Sequence, residues 1–377
     1  MPSFAELLSP ITPEVFFSDF YGKKPLYIPA DPQQSKREIL DWSSFNAALD
    51  QTSIWTPQTL KLVENTQPVE PEAYCRLAKT QNGEQLVPDP AKVQLRLAQG
   101  ATLIAGDVQN ILPRLSQLAT TLGQTFSASA QANIYCSFKG VRGFASHYDL
   151  TDVLAIQTEG KKLWRIYANR ADTPVSMPVS ASQARQYFEA TKGPLVEEVM
   201  MQPGDVLYLP RGTYHDALAQ DGASLHVTFA IAPLYGRIIF NLLEQAALQD
   251  SLFRTYLPPA SLNNGRDLQA HLAALGQRLA LLAGSAAFRD EVAMTQEQII
   301  PRHHSYGLPE QISLTRYQRT GIHVPHFNGP VVHAMEWALS QSSFVLEDMI
   351  AQFNFIPEAT LRQAVQMAEQ AGTFKKV

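Results

Sequence analysis

The alternation of apolar and polar positions changes character along this chain. Near the start, Thr12-Pro13-Glu14 combines an N-cap hydroxyl with proline at the first helical position. Phe16, Phe17 and Phe20 follow as an apolar face, Gly22 closes the helix, and residues 24–28 read as extended. Residues 31–95 are polar and proline-rich with little period. Residues 101–105 read as a short apolar strand and 108–122 as an amphipathic helix. From 128 to 235, short segments rich in Val, Ile, Leu, Tyr and Phe recur between Gly, Pro and Asp. The segments 132–138, 153–158, 163–167, 196–201, 206–209 and 224–231 predict the strands of a β-sandwich or barrel. A helix is expected at 180–191. After Pro233 the period becomes helical, over 237–256, 266–284 and 286–298, with high Ala and Leu content. Such a block packs either inside its own monomer or against a second copy. The remainder reads as a small α+β unit with a strand at 323–327 and helices at 331–339, 344–353 and 357–371. On the last, Leu361, Val365 and Ala368 share one face. Three short helices beside a strand look like a winged helix.

Composition narrows the picture. A chain of 377 residues suggests two to three domains, and 45% hydrophobic residues exclude a disordered chain. Two cysteines, Cys75 and Cys136, make neither a disulfide framework nor a CxxC pair, which fits a reducing cytosol. Cys136, between Tyr135 and Ser137, is expected to be a buried small apolar group. The N-terminus lacks the pattern of a signal peptide. The most apolar stretch, 268–287, is interrupted by Gln269, His271, Gln277 and Arg278. A soluble, cytoplasmic protein without a membrane partner is expected. The net charge of −5 argues against a general nucleic-acid binder. Locally, residues 307–377 carry five basic and six acidic side chains, a net of −1. Phosphate contacts dominate non-specific DNA affinity, so direct DNA binding by this unit is not expected.

The candidate chemistry lies in the strand-rich region. In Gly143-Phe144-Ala145-Ser146-His147-Tyr148-Asp149, His147 and Asp149 are two apart. On a strand such residues face the same side, so an imidazole and a carboxylate would enter a barrel together. Gly204-Asp205 then reads as a turn, 206–209 as a strand, Pro210 to Gly212 as a second turn, and His215 as opening the next strand. This arrangement delivers the last metal ligand of a double-stranded β-helix. His147, Asp149 and His215 together form a candidate two-His, one-carboxylate facial triad for Fe(II), leaving positions for a chelating 2-oxoacid and O2. The ordinary alternative is a core histidine and a turn aspartate. A dicarboxylate co-substrate needs a buried cation. Of Lys161 and Lys162, alternation turns one inward; if Trp164 faces inward, so does Lys162. Two solvated turn lysines are the ordinary alternative. His303-His304 and the pair His323 and His326 lack a third donor at a known spacing. His271 and His333 fall on expected helices as surface or interface groups.

These segments resemble the JmjC-type ribosomal oxygenases, which are Fe(II)- and 2-oxoglutarate-dependent protein hydroxylases of the cupin superfamily. The likeness is carried by residues 16–28 (FFSDFYGKKPLYI), 143–167 (GFASHYDLTDVLAIQTEGKKLWRIY) and 204–215 (GDVLYLPRGTYH). It extends to the helical middle and the terminal unit, and is weakest over 31–95. The resemblance implies a mainly β catalytic domain of JmjC/cupin type over 1–235, with an N-terminal extension. It implies a helical dimerisation region over 236–305 and a winged-helix-like α+β domain over 306–377. It places iron ligands on His147, Asp149 and His215, and the co-substrate's cation on Lys162. Further co-substrate neighbours fall on Asn133, Tyr135 and Thr228. His226 shares a face with Thr228 and is either a group supporting the site or a satisfied core residue. The implied substrate is an Arg or His side chain of a ribosomal protein, and the implied assembly a homodimer. Alternatives remain: a cupin-type metal enzyme without 2-oxoglutarate, an oxygenase acting on a tRNA base or small molecule, or a non-catalytic ribosome- or RNA-associated binding protein.

Overall fold

The computed structural model describes residues 2–30, 39–80, 83–138, 145–219, 222–303, 314–321 and 323–377. Of the residues singled out above, Gly143, Phe144 and His304 lie outside these ranges. The chain divides into two compact units, Met1–His304 and Ser305–Val377.

Two antiparallel sheets form the centre of the first unit. The larger has eight strands, in the order Leu26–Ile28, Val206–Leu209, Asp152–Glu159, Ser224–Pro233, Ala128–Ser137, Thr102–Ala105, Leu60–Glu64 and Gln67–Pro68. The smaller places Lys162–Arg170 between Leu195–Met201 and Thr213–Leu218. Alternation sorts the side chains. On the large sheet, Leu154, Ile156, Val206, Tyr208, Val227 and Phe229 join the main core. The helix Pro113–Phe126 buries Leu115, Leu118, Ala119, Leu122 and Phe126 in that same core. Each such leucine contributes about 1.5–3 kcal/mol of burial. The intervening residues Val153, Ala155, Leu207 and Leu209 turn the other way and pack with Trp164, Ile166, Val199 and Met201 of the small sheet. This large antiparallel core, with helices packed on it, is consistent with the expected cupin-like jelly roll.

Every strand expected between 132 and 231 is present, most of them longer than expected, as in Ala128–Ser137 and Lys162–Arg170. The helix expected at 108–122 is instead a 3-10 turn, Val108–Asn110, followed by the α-helix Pro113–Phe126. Pro113 disfavours the helical region at Leu112, which is extended at φ −105°, ψ 109°. Likewise 237–256 divides into Ile238–Ala247 and Ser251–Arg254, where the Asp250 carboxylate accepts from the Leu252 N–H and starts a new turn. Residues 31–95 hold more structure than their period indicated. Asp41 caps Trp42–Leu49 and Asp89 caps Pro90–Ala98, while Cys75–Thr80 pairs with Gly83–Pro88 as a hairpin.

The second unit has its own core around Leu361, Val365, Ala368, Met335 and Met349. The expected strand at 323–327 is not formed, and Pro325 offers no N–H to a ladder. The strand is Arg316–Arg319, paired on one side with Ser343–Val345 and on the other with Phe374–Lys376. The helix expected at 344–353 therefore begins only at Leu346. Helices Val331–Leu339 and Glu358–Gln370 lie where the period placed them.

Candidate metal centre

The space between the two sheets is a pocket lined from both sides. Asn133, Tyr135, Val153, His226 and Thr228 project from the large sheet, and Lys162, Trp164 and His215 from the small one. His147 and Asp149 join from the segment preceding Asp152–Glu159.

His147 and His215 meet through their backbones. The His147 N–H donates to the His215 carbonyl at 3.0 Å, and the His215 N–H donates back at 2.8 Å. This is an isolated antiparallel bridge, so His147 and Asp149 do not sit on a regular strand as expected. The Asp149 segment is tied down by its carbonyl, which accepts from the Gly212 N–H at 3.0 Å. Gly212 makes that turn at φ +84°, where a Cβ would lie 2.5 Å from the Ala171 carbonyl oxygen. Consequently His215 is the third residue of its strand, Thr213–Leu218, rather than the first.

The three side chains converge. One ligating atom from each of His147, Asp149 and His215 lies within 4.8 Å of the others. Asp149 Oδ2 is 3.5 Å from His215 Nε2, and Oδ1 is 3.9 Å from His147 Nε2. Each Nδ1 sits 2.9 Å from a backbone carbonyl, that of Ala145 for His147 and of Thr213 for His215. A carbonyl only accepts, so each Nδ1 carries the proton and each Nε2 offers its lone pair to the carboxylate side. Burial first, and the neighbouring His147 second, push the His215 pKa down and keep that imidazole neutral, as a metal ligand must be. Neutral nitrogens and one carboxylate are the donor set that suits Fe(II).

At the buried side of the pocket, Lys162 is 2% exposed and shares its inward face with Trp164. Its ammonium donates to Ser137 Oγ at 2.7 Å, and that hydroxyl lies 3.1 Å from Thr102 Oγ1. Burial pushes the Lys162 pKa down to about 8, with the nearby Cys136 opposing it. Among the described residues no carboxylate pairs with this ammonium, so the site fits an incoming dicarboxylate such as 2-oxoglutarate. Tyr135 stacks on His226 with ring centroids 4.9 Å apart and planes 3° apart. Burial first, then the Asp149 charge, raises the Tyr135 pKa, against a hydrogen bond from Thr228. Asn133 Oδ1 accepts from the Asp107 N–H at 3.3 Å. Trp164 stacks on His215 at 5.6 Å and meets His226 edge-on at 5.6 Å. His226 is buried, and its Nδ1 has no hydrogen-bond partner among the described residues. Burial and Lys162 hold its pKa well below the usual value.

All seven residues named from the sequence therefore line one pocket. The sequence reading passed over Thr102 and Ser137. Ser137 had a signal, since it alternates with Asn133 and Tyr135 on one strand; Thr102 had none. Cys136 is buried as expected, its thiol pushed up to about 12 by burial. His271 and His333 lie on helices, also as expected.

Comparison with known proteins agrees with this geometry. Residues 107–237 match the family model for the JmjC domain. A bifunctional lysine-specific demethylase and histidyl-hydroxylase, NO66, from Dictyostelium discoideum is 29% identical over 261 residues, covering 67% of this chain and 48% of that protein. Ribosomal oxygenase 1 from Homo sapiens is 34% identical over 149 residues, covering 38% of this chain and 23% of that protein. The chain thus spans about half or less of the length of these curated relatives. The solved structure of ycfD from E. coli is similar in fold, with a TM-score of 0.50 at 15% identity, over 97% of this chain and 98% of that one.

Proposed function

We propose that the chain, whose residues 107–237 match the JmjC domain model, is a JmjC-type ribosomal oxygenase: an Fe(II)- and 2-oxoglutarate-dependent enzyme that hydroxylates an Arg or His side chain of a ribosomal protein. One observation carries the reading: a His147, Asp149 and His215 donor cluster shares its pocket with a buried lysine that has no carboxylate partner among the described residues. Bound Fe(II), with 2-oxoglutarate and O2, supplies the oxidising chemistry. The chain's own residues bind and orient. His147 and His215 present Nε2, held in that tautomer by the Ala145 and Thr213 carbonyls. Lys162 and Ser137 receive the co-substrate's far carboxylate, and Asn133, Tyr135 and Thr228 line its path. Trp164 and His226 fill the pocket wall and exclude water. A cupin-type metal enzyme without 2-oxoglutarate is less well supported, because Lys162 would then stay a buried ammonium with no carboxylate among the described residues to pair with it.

Other parts of the chain take supporting roles in this reading. The helices from Ile238 to Gln298 leave Phe240, Leu272 and Leu281 exposed, which suits a homodimer through the 236–305 region. The terminal unit serves as a winged-helix-like module without DNA contacts, in line with its net charge of −1. Among the described residues no helix is long and apolar enough to cross a membrane, and a cytoplasmic location follows from the ribosomal substrate.

The test is succinate release from 2-oxoglutarate in the presence of Fe(II) and ribosomal proteins. His147→Ala and His215→Ala are each expected to abolish substrate-stimulated succinate release. Wild-type rates in either variant would remove the triad assignment. Mass spectrometry of ribosomal proteins from cells with and without the enzyme should find a single hydroxylation; finding none would favour the tRNA-base or small-molecule readings.

A further inference from the structure

Behind the two histidines lies a second buried carboxylate. Asp216 follows His215 directly and is fully buried, on the opposite face of the strand from the pocket. Its Oδ2 accepts from the Tyr167 hydroxyl at 2.6 Å and from the Ser146 hydroxyl at 2.9 Å. Ser146 directly precedes His147 and also accepts from the Lys192 ammonium at 3.0 Å. Lys192 in turn lies over the Tyr167 ring, 4.3 Å from its centroid, and pairs with Glu189 at 2.7 Å. The register explains the arrangement. In an antiparallel pair, the residue before one partner faces the residue after the other. Since His147 is bridged to His215, Ser146 faces Asp216, and their side chains join on the outer face while the two imidazoles point inward.

Stability alone does not account for this group. Asp216 Oδ1 is buried without a hydrogen-bond partner among the described residues, and an apolar residue of similar size would avoid that cost. The backbone connection it reinforces is a single isolated bridge. We propose that Asp216 is a positioning residue: with Ser146 and Tyr167 it staples the His147 segment to the His215 strand and thereby sets the spacing of the two imidazole donors. This rests on the metal-centre reading above.

The test uses Co(II), followed by its visible absorption, on the full chain. Partners that orient metal ligands typically change affinity by about 10–100-fold when removed. Asp216→Ala is expected to weaken Co(II) binding by about that factor and to alter the band shape of the bound ion. Asp216→Asn, which keeps an oxygen acceptor for both hydroxyls, is expected to restore affinity and spectrum toward wild type. A folded Asp216→Ala variant with unchanged affinity and spectrum would overturn the inference. Should that variant fail to fold, Ser146→Ala and Tyr167→Phe each delete one hydroxyl; wild-type affinity in both would overturn it equally. A wild-type protein that binds no Co(II) would instead sink the metal-centre reading, and the inference with it.

Discussion

Lys162 poses the sharpest energetic question at the level of single residues. A buried ammonium loses most of its hydration, and here it donates to a serine hydroxyl at 2.7 Å. Its pKa is therefore pushed down to about 8. Only the protonated form can pair with a carboxylate. Affinity for 2-oxoglutarate should hold steady below pH 8 and fall by about tenfold per pH unit above it, as the protonated fraction falls. A bound carboxylate favours the charged form, so binding above pH 8 should take up a proton. Titration of the Co(II)-loaded protein between pH 7 and 9.5 checks this, and a flat profile would move the carboxylate elsewhere. In the same assay Lys162→Ala should weaken 2-oxoglutarate binding by at least about tenfold while leaving Co(II) affinity near wild type. Much of this was legible beforehand. Alternation across the 160 turn tied Lys162 to Trp164, and both face inward. Ser137 was equally readable from its alternation with Tyr135. Asp216 was not, because a carboxylate beside a ligand carries no pattern that tells the outer face from solvent.

Among the elements, the turns do the placing. Gly160 joins Asp152–Glu159 to Lys162–Arg170 at φ +64°, and a Cβ there would lie 1.9 Å from the Ala223 carbonyl oxygen. Both the left-handed backbone and the close approach exclude other residues. Gly160→Ala is expected to destabilise the first unit by about 1–3 kcal/mol or more, read as a lower urea midpoint. It should also weaken 2-oxoglutarate binding, since Lys162 lies two residues on. An unchanged midpoint would mean that the turn relaxes freely. Strands of strong period were legible because both faces of the large sheet are buried, giving continuous apolar runs such as residues 153–156. The three-residue strands Ser343–Val345 and Phe374–Lys376 were not, because so short a segment displays no period. The helices Trp42–Leu49 and Pro90–Ala98 had capping aspartates in the sequence, and Pro90 at the first helical position, but weak apolar faces obscured them.

For the whole molecule, the proposed homodimer rests on the exposed apolar side chains of the helical block. Phe240 is 74% and Leu281 65% exposed. Large apolar side chains left this exposed suit a partner surface. The proposed homodimer predicts a solution mass of two 41.8 kDa chains, measured by light scattering after size exclusion. A Phe240→Glu, Leu281→Arg double variant should run as a monomer with an intact Co(II) site; a monomeric wild type would remove the dimer from the reading. The separation into Met1–His304 and Ser305–Val377 follows from two hydrophobic clusters, each closed on its own residues. The sequence by itself determined the strand-rich core, the helical block and the candidate donors, because alternation, period and residue chemistry are local properties. Tertiary structure alone decided that His147 and His215, far apart in the chain, share one backbone bridge. It alone also decided that Lys162 meets Ser137, and that Asp216 lies buried behind the site. Those facts depend on strand register between distant segments, and register is set by the packing of the whole sheet.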